Sequence, residues 1–317
     1  MMAFTRSRRH ALVLAGMAVA LMVRPAAAAS CCGGGSSCGT ASEMGALGGA
    51  ASMYALGHRF LLQESISLRG ITGSFTETGA WSPPPVDGAL GTLQGTMGLV
   101  YFPVRGASIG ITLPAAANAL SRASWGPFGS INATETPAAF GGALGDISLQ
   151  GSYQLWNNDE LMVSAWGGLQ LPTGQAFGDP AGLTGAGLLA GQLGMTSVAQ
   201  WDDWEALVNV GTQLPIVATA ARTGIFALGP TLLYQLQVQR LLGTDWRLGI
   251  GCSGYLGQMA SGATAMPAAK LKLTPSVTYQ WDRARGVRLG LGIDPMLLGR
   301  NAMTDATLSA VFFQFLN

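Results

Sequence analysis

Charge is what this 317-residue chain has least of: Asp, Glu, Lys and Arg together supply 10% of it, against roughly 25% in a soluble globular domain. A surface so poor in charge is not held in water by ionic side chains. Long apolar runs are missing too. Past the first thirty residues no uninterrupted stretch approaches the roughly 18 apolar residues of a membrane-crossing helix, which excludes a helical membrane protein. Lys and Arg form no cluster that would displace counterions from a nucleic acid, so no nucleic-acid partner is expected. Histidine is nearly absent, with only His10 and His58. His58 precedes the first expected strand without a nucleophile placed beside it, so it reads as an ordinary interfacial histidine and no catalytic residue or enzyme activity is expected.

The first thirty residues are of a different kind. Arg6, Arg8 and Arg9 precede an uncharged run from Ala11 to Val23, and Ala27 and Ala29 supply an A-x-A cleavage pattern. The run is too short to cross a membrane and reads as a secretory signal peptide over residues 1–29. Ser7-Arg8-Arg9 faintly resembles a twin-arginine signal, but Ala11 stands where that motif has Phe, so export in an unfolded state is preferred. Arg6, Arg8, Arg9 and Arg24 leave with the leader, and the mature chain is mildly acidic.

What the chain has in abundance is glycine, 46 residues, and alternation. From Lys270 to Trp281 the even positions are Lys, Lys, Thr, Ser, Thr and Gln, and the odd ones Leu, Leu, Pro, Val, Tyr and Trp. Ile147, Leu149, Gly151, Tyr153 and Leu155 alternate in the same way with Asp146, Ser148, Gln150, Ser152 and Gln154. Such period-two patterning gives strands with one wet and one greasy face. Twelve are expected, near 63–74, 90–103, 107–118, 145–156, 161–172, 188–201, 205–216, 228–240, 246–258, 270–281, 287–298 and 306–317. Five connections are tight, at 104–106, 157–160, 202–204, 241–245 and 282–286, and they alternate with mostly longer ones. Both chain ends therefore fall on the short-turn side.

Aromatic residues gather beside the tight turns: Tyr101 and Phe102, Trp156, Trp201, Trp246 and Trp281. That is the placement of an interfacial girdle, which a soluble β-sandwich has no reason to confine to one end. With the apolar faces turned to lipid, the opposite set lines an interior: Arg69, Asp146, Gln150, Gln154, Gln170, Gln192, Gln213, Gln235, Gln237, Arg247, Lys270, Lys272, Gln280, Arg288 and Asp294. This lining is mostly neutral and shows no opposed rows of charge, which suits a small, weakly polar solute or a filled interior better than a wide ion pore. Trp166 has inward parity and is read first as filler, second as a surface on which a solute stacks.

The leader, the twelve amphipathic strands and the closing strand Leu308-Ser309-Ala310-Val311-Phe312-Phe313-Gln314-Phe315-Leu316-Asn317 together resemble Gram-negative outer-membrane channels. The resemblance implies an all-β, up-and-down antiparallel transmembrane β-barrel over residues 63–317, with short periplasmic turns, longer extracellular loops and a cell outer membrane location. It further implies outer-membrane lipids, a small-molecule solute and, during biogenesis, barrel-assembly machinery as partners, and no cofactor. The closing strand departs from the usual assembly signal by ending Phe315-Leu316-Asn317 rather than on an aromatic. With only residues 30–62 between the leader and the barrel, no secreted passenger is expected.

That segment, residues 30–62, opens Cys31-Cys32-Gly33-Gly34-Gly35-Ser36-Ser37-Cys38. Cys38 bridged to Cys31 or Cys32 in the oxidising periplasm is the first reading, capture of Cu(I) or Zn(II) by the thiols the second, and lipid attachment at Cys31 the third. Met44, Leu47, Ala51 and Tyr54 follow at helical spacing and are expected to form a plug at the barrel mouth. Cys252 shares the lipid-facing parity of Leu248 and Ile250. The expected function is a channel or facilitated-diffusion transporter, with a soft-metal-associated outer-membrane protein and a structural or adhesive barrel as alternatives, the last resting on the loop that carries Trp125, Phe128 and Phe140.

Overall fold

A computed structural model describes residues 59–317, except 77, 84–88, 122, 126–130, 134–138, 159, 175–187, 219–226, 229, 262–263, 283, 296–298 and 301. The leader, Cys31, Cys32, Cys38, the proposed plug and Phe128 lie outside the described residues.

Alternation of apolar and polar residues is carried through twelve long strands: β1 Phe60–Phe75, β2 Ala89–Tyr101, β3 Ala107–Ser121, β4 Ser148–Asn157, β5 Leu161–Gln170, β6 Leu188–Trp201, β7 Trp204–Ala218, β8 Thr231–Leu242, β9 Trp246–Ser261, β10 Thr264–Asp282, β11 Arg285–Ile293 and β12 Ala302–Leu316. Each is antiparallel to the next, β9 pairs with β10, and β12 pairs with β1 from Phe60↔Leu316 to Phe75↔Ala302. The sheet thus closes on itself and leaves no edge between first and last strand. Among the described residues there is no helix.

Burial runs opposite to that of a soluble core. Leu193, Ile216, Ile250, Leu289 and Leu308 are exposed, while Thr196, Asn209, Gln213, Thr231 and Thr304 on the alternate parity are almost completely buried. Water would punish that arrangement, since each exposed Leu or Ile forgoes about 1.5–3 kcal/mol of burial. A hydrocarbon surround reverses the sign for the outer face and leaves the polar groups to satisfy one another inside.

Five tight turns join β2 to β3, β4 to β5, β6 to β7, β8 to β9 and β10 to β11, defining a short-turn end. Asp202 and Gly243 adopt positive φ there, at 49° and 70°. The opposite end carries the longer links with one exception. The link between β9 and β10, expected to be long, is closed by strand pairing up to Ser261↔Thr264, so these two strands project as a hairpin. β4 is preceded by Ala139–Leu144, which also pairs with β3; the interruption at Gly145 to Ile147 turns the chain so that Asp146 points inward.

Candidate functional site

Side chains that meet across an intervening strand show which face is concave. Trp166 Nε1 on β5 donates to Asn209 Oδ1 on β7 at 2.8 Å, and Gln213 Nε2 on β7 donates to Gln170 Oε1 on β5 at 2.9 Å. Both skip β6, a reach available only inside the curve of the sheet. The interior so identified is the candidate site.

From β4 to β8 this interior is a wall of neutral amides and hydroxyls. Near the short-turn end Gln200 and Gln239 donate to the two oxygens of Glu205 at 2.9 and 2.6 Å, and Gln237 donates to Gln239 at 3.2 Å. Midway, Asn209 Oδ1 also accepts from Thr196 at 3.2 Å. Toward the long-loop end Gln170 passes the chain from Gln213 on to Asp146 Oδ2 at 3.1 Å, and the Gly174 amide donates to Asp146 Oδ1 at 2.9 Å. Each carboxylate on this wall thus accepts from neutral donors on both oxygens. Such satisfaction is what makes buried polar groups tolerable.

The charges gather on the other arc. Asp305 on β12 accepts from Arg69 Nη2 of β1 at 2.8 Å, from Lys270 Nζ of β10 at 2.5 Å, from Lys272 Nζ of β10, and from Thr307 Oγ1 at 2.7 Å. Lys270 also reaches Asp294 at 2.9 Å, whose Oδ2 accepts the Asp305 amide at 2.7 Å. Three cations therefore share two carboxylates, and the cluster spans the seam where β1 closes on β12. Farther toward the short turns, Arg247 on β9 and Arg288 on β11 both stand opposite Thr278 of β10, and Arg247 donates to Gln280 at 3.1 Å.

Of the residues expected inside, Arg69, Lys270, Lys272 and Asp294 come together, and Asp146, Gln170 and Gln213 form a separate chain. Gln235, Gln237, Gln192, Gln150, Gln154, Gln280, Arg247 and Arg288 occupy the same inward parity on their strands. Asp305, Glu205 and Asn209 join them from outside the expected set, and Gln239 continues the polar parity of Gln235 and Gln237. Asp305 sits at a position read as loop, because β12 begins four residues earlier than the alternation alone indicates. The lining is not uniformly neutral: it divides into an amide-rich arc, which holds the carboxylates of Asp146 and Glu205, and an arc where the cations gather.

Trp166 lies over the paired glycines Gly194 and Gly211, where an added Cβ would come within 2.4 and 2.5 Å of its ring. The indole is nearly fully buried and its N–H is used, so it fills the wall rather than offering a face to a solute.

Tyr101, Trp156, Trp201, Trp246 and Trp281 stand exposed on the outer face at the short-turn end, joined by Trp204. Phe60 packs on Tyr101 at 5.1 Å between ring centroids, Tyr279 bridges Trp246 and Trp281 at 4.7 and 6.1 Å, and Phe312 stacks on Trp281 at 5.8 Å. Phe102 does not belong to this girdle. It follows the last residue of β2 and packs inward with Leu61, Val100 and Phe315. Cys252 is a free thiol, and no metal-sized group of His, Cys, Asp or Glu occurs among the described residues. A G-x-S-x-G spacing does occur at Gly106 to Gly110, but its Ser108 lies on β3 in a 2.7 Å hydrogen bond with Ser152.

The fold, a closed antiparallel β-barrel, is similar to that of known outer-membrane proteins. The crystal structure of an outer membrane channel from Pseudomonas putida F1 superposes with a TM-score of 0.64 at 15% sequence identity, covering 81% of this chain and 95% of that one. Overlap is looser with the translocator domain of the autotransporter NalP from Neisseria meningitidis, at TM-score 0.46 and 11% identity over 87% of this chain and 96% of that one. A monoaromatic hydrocarbon channel, CymD, gives 0.41 and 12% over 86% and 93%. No protein-family model and no curated protein matches the sequence. What the likeness to the Pseudomonas putida channel shows is the fold, a closed β-barrel.

Proposed function

We propose that the protein is an outer-membrane channel of a Gram-negative bacterium, passing a small, weakly polar solute by facilitated diffusion with its short turns in the periplasm. The observation that carries this reading is the division of one closed ring into an apolar outer face and an inner wall of Gln, Asn, Thr and Ser. A structural barrel needs the outer face but has no need of an amide-lined interior, where each buried polar group must find a partner at a cost of about 1–3 kcal/mol if it fails. Neutral amides replace the hydration of a weakly polar solute without holding it tightly. The closing strand β12 is proposed to be read by barrel-assembly machinery, and the girdle to anchor the barrel among outer-membrane lipids.

The test is planar-bilayer recording with the purified protein. Discrete conductance steps are expected on insertion. An electrically silent, correctly folded barrel would favour a structural or adhesive role instead.

A further inference from the structure

We infer that the charged arc is a transit site for small organic carboxylates; this rests on the channel reading above and names the class of solute it passes. The first observation is the order of charge from wall to lumen. In the seam cluster the side chains of Asp294 and Asp305 are 1% exposed, whereas those of Arg69, Lys270 and Lys272 are 14%, 13% and 22% exposed. The carboxylates form the back of the cluster and the cations its front.

The second observation is what the ammonium groups have left to give. Lys270 Nζ spends two donors, on Asp305 and Asp294, and Lys272 Nζ spends two, on Asp305 and Thr307. An ammonium has three protons, so each lysine keeps one for a further acceptor. The spacing of the pair is also defined: Lys270 holds Oδ2 and Lys272 holds Oδ1 of the same Asp305 carboxylate. Two ammoniums already set to the bite of one carboxylate on the wall side are set to the bite of a second on the lumen side.

The third observation is asymmetry across the lumen. On the amide-rich arc the two carboxylates, Asp146 and Glu205, are buried and have both oxygens taken by neutral donors, so neither presents an open oxygen to hold a cation directly. Along the charged arc a second cationic level follows. Arg247 and Arg288 flank Thr278, six residues down β10 from Lys272 and roughly 20 Å away at the rise of a strand. Two cationic levels separated by the hydroxyls of Thr274 and Ser276 give an anion successive stations, which is how weak, multi-site binding permits passage. The solute is then a small molecule whose neutral part slides along amides and whose single carboxylate steps from Lys270 and Lys272 to Arg247 and Arg288.

The experiment is bilayer recording of the full chain under a tenfold KCl gradient, followed by addition of sodium benzoate or, in parallel, benzamide. Chloride is expected to permeate at least about threefold better than potassium, and benzoate, but not benzamide, is expected to reduce the chloride current. Lys272→Met should lower the benzoate effect at the upper level, and Arg288→Gln should lower the chloride preference at the lower one, each in protein whose heat-modifiable gel mobility shows an intact barrel. A conducting barrel without anion preference and without benzoate block overturns this inference and leaves the channel reading standing. A silent barrel overturns both.

Discussion

Replacing Asp305 by Asn removes the one charge that Arg69, Lys270 and Lys272 all share while keeping the shape of the side chain. The cluster would pass from three cations on two carboxylates to three cations on one. Breaking a buried ion pair by removing one partner costs about 3–5 kcal/mol. Because the cation side chains retain 13–22% exposure, water relieves part of the repulsion, and the lower end of that range, about 3 kcal/mol, is the expected loss. The assay is equilibrium urea unfolding in lipid vesicles, followed by tryptophan fluorescence. A second substitution sharpens it. Asp305→Asn combined with Lys272→Met restores the original excess of one positive charge, so the double variant should be more stable than Asp305→Asn alone. An Asp305→Asn protein within about 0.5 kcal/mol of the parent, or a double variant less stable than the single, would refute the electrostatic reasoning.

Gly194→Val places methyl groups where the Trp166 ring lies; overpacking of about 1–3 kcal/mol is expected, together with a red-shifted tryptophan emission as the indole leaves Asn209, and an unchanged spectrum would mean the ring is not held there. Ile250→Lys on the outer face should destabilise the barrel by about 2–4 kcal/mol in vesicles, whereas Gln150→Lys, on the inward face of β4 and away from the seam cluster, should cost much less; equal costs would contradict the assignment of faces. The unboiled protein should migrate differently from the boiled one on SDS gels, because a ring closed by β1 and β12 resists SDS at room temperature. Identical migration would argue against closure.

The strands were readable in the sequence because each alternates apolar and polar residues over its own length, and a period of two is a local property. Their ends were less so. β10 runs from Thr264 rather than from about Lys270, since Pro267 and the adjacent alanines carry no alternation, and only the partner strand β9 shows that pairing continues there. The same difficulty hid Asp305: Ala302 to Asp305 lacks the pattern and is recruited to β12 by its register with β1 across a bulge at Thr72. The division of the interior into two arcs was out of reach for a related reason. Arg69 and Lys270 are some two hundred residues apart, and they become neighbours only when the ring closes. The girdle was legible in part, because Trp beside a tight turn is a local signal, while Tyr279 and Phe312 join it through cross-strand packing. Phe102 shows the limit of that signal: nearness to a turn groups it with Tyr101, whereas the parity it shares with Thr92, Gln94 and Val100 turns its ring inward.

The most direct test of the account is solute uptake by liposomes containing the purified protein. A channel lined as described predicts entry of small, weakly polar solutes faster than into empty liposomes, and exclusion of bulky sugars. Liposomes carrying folded barrel that admit none of these solutes faster than empty ones would contradict it.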